Sequence, residues 1–102
     1  MSILYRPAAI TDLERTCDYL RQTLKNPGAA NTLSARVLRS VSLLRENPFM
    51  GAPLSAKYDE LQTGVRYLIV SKQLVFYEVL EDRIEILRIL DGRTDYLAQL
   101  FG

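Results

Sequence analysis

Residues 64–95 read GVRYLIVSKQLVFYEVLEDRIEILRILDGRTD, and the fold turns on how this stretch is divided. Three apolar runs, 67–70, 74–80 and 84–90, are rich in Val, Ile, Leu, Tyr and Phe. They are separated by Ser71-Lys72-Gln73 and by Glu81-Asp82-Arg83, which are short enough to be hairpin connections. Parallel neighbours would need long crossovers, so the runs predict an antiparallel three-stranded meander. Along the last run, simple alternation puts Arg88 on one face with Ile84, Ile86 and Leu90, opposite Glu85, Leu87 and Ile89.

Upstream of the meander the apolar spacing changes from two to three or four. Ser2 to Arg6 alternate as a short strand that Pro7 ends. Leu13, Cys17, Leu20 and Leu24 recur at helical spacing, which predicts an amphipathic helix over 11–25 with Thr11 or Asp12 as its N-cap. Asn26-Pro27-Gly28 is a strong break. A second helix is expected over 29–46, with Ala30, Leu33, Val37, Val41 and Leu44 on one face and Arg36, Arg39 and Arg45 elsewhere on the circumference. So short a turn makes the two helices an antiparallel hairpin. Asn47-Pro48 closes the second helix, and residues 49–63 read as a loop. Residues 96–101 form a short helical or irregular tail. The expected order is β-α-α-β-β-β. That is an α+β, two-layer fold in which an antiparallel sheet is covered by a helical hairpin.

Composition bounds the function. The 102 residues suit one domain, 1–102, and 48% hydrophobic with 25% charged residues is ordinary for a folded chain. No run reaches the roughly 20 apolar residues that span a bilayer, and the N-terminal MSILYRP carries no signal-peptide pattern. A single cysteine, Cys17, forms no internal disulfide and fits a reducing compartment, so cytoplasmic residence is the expectation. The chain has no histidine, which removes the commonest general base and makes a nitrogen/sulfur metal site an unfavourable reading. No metal or other cofactor is expected. Net charge is +1, with seven Lys/Arg against four Asp/Glu in residues 1–56 and six against eight in 57–102. A dedicated nucleic-acid binder shows a more pronounced basic face.

Five local patterns, in order along nearly the whole chain, resemble the RelE/ParE superfamily of bacterial type II toxin–antitoxin systems. They are A-x-x-D-L-x-x-x-x-x-Y-L (Ala9, Asp12, Leu13, Tyr19, Leu20), L-x-x-x-P-x-x-G-x-P (Leu44, Pro48, Gly51, Pro53) and G-x-R-x-L-x-V (Gly64, Arg66, Leu68, Val70). F-Y-x-V (Phe76, Tyr77, Val79) and I-L-R-I-L-x-x-R-x-D (Ile86 to Asp95) complete the set. The resemblance implies a small toxin neutralised by a cognate antitoxin that covers the sheet edge and surface grooves. The superfamily contains two activities. RelE-like members cut mRNA on the ribosome, without metal. ParE-like members poison DNA gyrase.

Cleavage through the RNA 2′-hydroxyl needs a proton acceptor, a proton donor and cations on the phosphate. The resemblance directs these roles to Arg66, Arg88, Arg93 and Tyr96. Each also has a plain structural reading. Arg66 and Arg88 are strand arginines that pair with a carboxylate or snorkel to water, Arg93 pairs with Asp91, and Tyr96 packs back on the sheet. Asp91 stands where family members commonly have histidine. A carboxylate there is either a base, repelled by phosphate, or the partner of Arg93. Lys57, Lys72 and Tyr58 are further candidates. Arg36, Arg39 and Arg45 face either ribosomal RNA or solvent, and Leu97, Leu100 and Phe101 either complete the core or form a patch for a partner. The expectation is a ribosome-dependent endoribonuclease, with a gyrase poison, or a degenerate toxin acting only in antitoxin binding and operon autoregulation, as alternatives.

Overall fold

Ser2–Tyr5 (β1) ends at Arg6 because Pro7 has no N–H to continue a ladder, and the same proline occupies the first turn of Pro7–Asp18 (α1). The computed structural model, which describes residues 1–102, therefore starts this helix four residues before the expected Thr11. Arg6 is the N-cap, and Asp12 is a buried residue of the helix interior rather than its cap. A single π-helical turn, Tyr19–Thr23, extends α1, and Lys25 with φ 53° reverses the chain.

Asn26 accepts the Ala29 N–H at 3.0 Å and Pro27 takes the first position of Pro27–Ser42 (α2). What reads as a break is thus also a helix start. Leu43–Arg45 tightens into a 3-10 turn. Within the expected loop lie a two-residue strand, Ala52–Pro53 (β2), and one helical turn, Leu54–Lys57 (α3). The meander follows as Arg66–Val70 (β3), Gln73–Val79 (β4) and Arg83–Asp91 (β5), and Tyr96–Phe101 (α4) ends the chain.

The sheet order is β1-β5-β4-β3-β2. The meander is antiparallel as expected, but β1 pairs with β5 in parallel, so the sheet is mixed. The whole stretch from α1 to β4 lies between them, long enough to bring β5 back in the direction of β1. Ser71-Lys72 alone makes the first hairpin turn, with Ser71 at φ 57°, and Gln73 belongs to β4.

A β-bulge corrects the simple alternation along β5. Phe76 lies opposite Arg88 but Tyr77 lies opposite Ile86, leaving Leu87 as the extra residue. Ile84, Ile86 and Ile89 consequently share one core with Ala9, Leu33, Val37, Val41, Leu44, Val75 and Tyr77, under α1 and α2. Leu87 and Leu90 join a second core on the other face, with Leu54, Val65, Leu74, Phe76 and Tyr96. Leu97 and Leu100 pack against this second core, whereas Phe101 is exposed.

One buried ion pair fastens these layers. Asp12 accepts from Arg88 Nε at 2.7 Å and Nη2 at 2.9 Å, and from the Ile89 N–H at 3.0 Å. Removing one partner of such a pair strands the other charge. Asp12→Ala and Arg88→Ala should each cost about 3 kcal/mol, with the double variant costing less than the sum, in urea unfolding.

A second fastening is steric. A Cβ on Gly51 would lie 2.5 Å from the Tyr77 hydroxyl and 2.8 Å from the Tyr67 carbonyl oxygen, one side chain and one backbone. Gly51→Ala should therefore lower stability by about 1–3 kcal/mol in the same measurement.

Candidate functional site

Arg66 opens β3, and its guanidinium turns back on the loop that precedes β2. It donates to the carbonyl oxygens of Gly51 at 2.6 Å and Phe49 at 3.2 Å, and its Cζ lies 4.9 Å from the Phe49 ring centroid. In the same loop Tyr77 accepts from the Gly51 N–H at 2.9 Å and donates to the Pro48 carbonyl at 2.9 Å. The P-x-x-G-x-P pattern is therefore a loop held by one arginine and one buried tyrosine. Arg66 remains half-buried, with Phe49 exposed beside it.

Arg88 spends its fork on Asp12 and makes a 3.4 Å contact from Nη1 to the Gln99 carbonyl, so it links α1 to α4. The bond to Asp12 raises its pKa further. Arg93 lies beyond β5, largely exposed, and clamps its neighbour. It donates to the two Asp91 carboxylate oxygens at 2.9 and 2.6 Å, and its own N–H adds a third bond at 2.8 Å. These bonds from Arg93 hold the Asp91 carboxyl down to about 2. A carboxylate so weakly basic is a poor proton acceptor at neutral pH.

Tyr96 starts α4 one residue after its N-cap, Asp95. Its ring packs 5.3 Å from Phe76, and its hydroxyl lies 2.7 Å from that of Tyr58. Lys57, at the end of α3, holds its ammonium 5.7 Å from the Tyr96 ring and 5.8 Å from the Tyr58 ring. Burial pushes the Tyr96 phenol up, but the bonds from Tyr58 and Lys57 outweigh it and the net direction is down. The bond to Tyr96 raises both Tyr58 and Lys57. Chemically this is a cation beside two linked phenols, with Lys57 exposed, Tyr58 half-buried and Tyr96 buried. Sequence reasoning named all three residues singly. Their union depends on α3 lying within the expected loop, for which the sequence offers only Pro53 and a following Leu-Ser-Ala-Lys.

The four expected site residues are thus not gathered at one point. Arg66, Arg88 and Arg93 line three separate depressions, and Tyr96 sits in the second core. No group of acidic, histidine or cysteine side chains is arranged to hold a metal ion. No helix is long and apolar enough to cross a membrane.

The family model described as the ParE toxin of type II toxin–antitoxin system, parDE, matches residues 3–96. Among solved structures, the chain is similar to one described as the chromosomal ParDE TA system from P. aeruginosa, with TM-score 0.72 and 26% identity, covering 89% of this chain and 95% of that one. It also shares its fold with a chain of the E. coli DinJ-YafQ complex, with TM-score 0.52 and 19% identity over 99% and 98% of the two chains. No curated protein matches.

The lowered carboxyls set an acid limit. Bonds from Arg6 and Arg83 hold buried Glu85 below its usual 4.5, and Asp91 lies at about 2 against 3.8. Folded-state pKa values below the unfolded ones stabilise fully above pH 4.5 and lose that contribution as pH falls through the folded values. Stability should be flat from neutrality to about pH 5 and fall steadily between 4.5 and 2, and Asp91→Asn should shallow that fall, as followed by circular dichroism. Tyr96→Phe should return Tyr58 toward its ordinary pKa of 10.0, read by ultraviolet titration.

Proposed function

This chain belongs to the ParE toxin family of type II toxin–antitoxin systems, and we propose that it inhibits growth by acting on DNA gyrase and is neutralised by a cognate antitoxin. The observation that carries this reading is the match to the ParE family over residues 3–96, beside the similarity to a ParDE chain. The geometry agrees with it. A nuclease needs cations converging on one phosphate together with a proton acceptor. Here Arg66 is bound to loop carbonyls, Arg88 to Asp12 and Arg93 to Asp91. A poison that works by occupying a protein target needs no such convergence, only a surface.

A second reading, ribosome-dependent mRNA cleavage, is favoured by one specific feature. The Lys57 ammonium stands over two hydrogen-bonded phenols, a grouping able to donate a proton to a leaving oxygen. In that reading Tyr96, beside Lys57, would supply the proton, Arg66 and Arg93 would hold phosphates at other points along the strand, and Arg88 would brace the fold.

The two readings differ in what stops first. Induction without antitoxin, with protein and DNA synthesis followed by pulse labelling, should show DNA synthesis falling first, with gyrase-linked double-strand breaks. Early arrest of protein synthesis with transcripts cut on ribosomes would replace the gyrase reading by the nuclease. In that case Lys57→Ala should abolish cutting while the protein stays folded.

A further inference from the structure

Two side chains of opposite charge stand without ionic partners at one end of the sheet. Arg66 opens β3, and both of its bonds to loop carbonyls leave from Nη1. The rest of its fork is unspent, and neutral carbonyls do not cancel its charge. Glu78, near the end of β4, is half-buried and in no ion pair. Its cross-strand neighbour is buried Glu85, and like charges directly opposite destabilise a sheet. Arg6 and Arg83 serve Glu85, and Arg88 serves Asp12, so no cation of the chain answers Glu78. Arg66 cannot do so. It lies opposite Tyr77 and shares that residue's face of the sheet, whereas Glu78 is on the face of Phe76.

Each charge has apolar surface beside it. Phe49, 63% exposed, lies against Arg66 on the loop that Arg66 and Tyr77 pin, with exposed Met50 next in the chain. Glu78 shares a depression of about 240 Å³ with Leu87, Leu100 and the exposed ring of Phe101. Thr63 and Val65 belong to the walls of both this depression and the one beside Phe49, so the two adjoin. A pinned loop carrying an aromatic, a methionine and an arginine has the composition of an interface core and little disorder left to lose. The chain therefore holds both halves of one contact: an apolar projection with a free cation, and an apolar recess with a free carboxylate.

Adjoining complementary halves suit a two-fold dimer, in which the same contact forms twice. A two-fold axis in the plane of the sheet, across the end where β3 starts and β4 stops, turns one copy's faces over relative to the other's. Each Arg66 then comes to the side on which Glu78 of the second copy stands. We propose that this chain self-associates as a two-fold dimer through this end of the sheet, with reciprocal Arg66–Glu78 pairs and Phe49 seated against Leu87, Leu100 and Phe101. Dimerisation is independent of the gyrase reading.

Sedimentation equilibrium of the full chain from about 1 to about 200 µM should show monomer and dimer only, with association weakening as salt rises. Glu78→Lys sets a cation against Arg66 and should weaken dimerisation about tenfold or more. Its melting temperature at low concentration should hold or rise, because the opposition to Glu85 is gone. Phe49→Ser should weaken dimerisation to a similar degree. Leu38→Ser, which trims an exposed leucine outside both depressions, should leave it unchanged. If Phe49→Ser lowers the melting temperature, Glu78→Lys decides alone. A chain still monomeric at about 200 µM, or a dimer that Glu78→Lys leaves intact, would overturn the proposal. So would association that continues past the dimer, since a contact that does not close on itself is not two-fold.

Discussion

The fold depends on a carboxylate placed where a strand has just run out. β1 follows β5 only as far as Tyr5 opposite Ile86, with one further bond from the Arg6 N–H to the Ile86 carbonyl at 2.9 Å. Pro7 then turns the chain into α1, and the next outward-facing N–H of β5, that of Ile89, has no strand beside it. Asp12 fills that role one turn into the helix, and Arg88 balances its charge. Sheet edge, α1 and, through Gln99, α4 are therefore fixed to one another by a single buried group. A hydrophobic residue at position 12 would pack, but it would leave the Ile89 N–H without an acceptor, and unpaired backbone donors are rare inside proteins.

This explains which parts of the structure could be read from the sequence. Helices and meander strands follow from local spacing, and both were legible, as was the α+β class. The bulge at Leu87 was not, because both Leu87 and Arg88 are acceptable strand residues and only the partner strand reveals the extra one. Asp12 was misread as a cap since a carboxylate near a helix start has that role far more often than burial against an arginine 76 positions away. Parallel pairing of β1 was hidden for the same reason. The four-residue strand carries no mark of its direction, and its partner lies some 80 residues along the chain.

The arginines show a different limit. Arg66, Arg88 and Arg93 were identified from positions in motifs, and the structure gives each one a nearby acceptor: loop carbonyls, Asp12 and Asp91. A guanidinium presents five donors in a rigid fork, so it suits the bracing of a loop as well as the holding of a phosphate. Sequence alone cannot separate the two uses, because they select the same residue at the same position. Three-dimensional partners show what each fork holds in the free chain, and they also bring together Lys57, Tyr58 and Tyr96, whose mutual contact no linear pattern announces.

Charge organisation leads to the last step. The chain is nearly neutral overall, and six of its thirteen cations, Arg6, Arg21, Arg66, Arg83, Arg88 and Arg93, are bound to carboxylates or carbonyls of its own. Long-range attraction to a polyanion is consequently weak, and selectivity must come from local surfaces where shape and charge coincide. The depression that places Arg36 and Lys72 beside Leu20, Leu24 and Leu33 is one such surface.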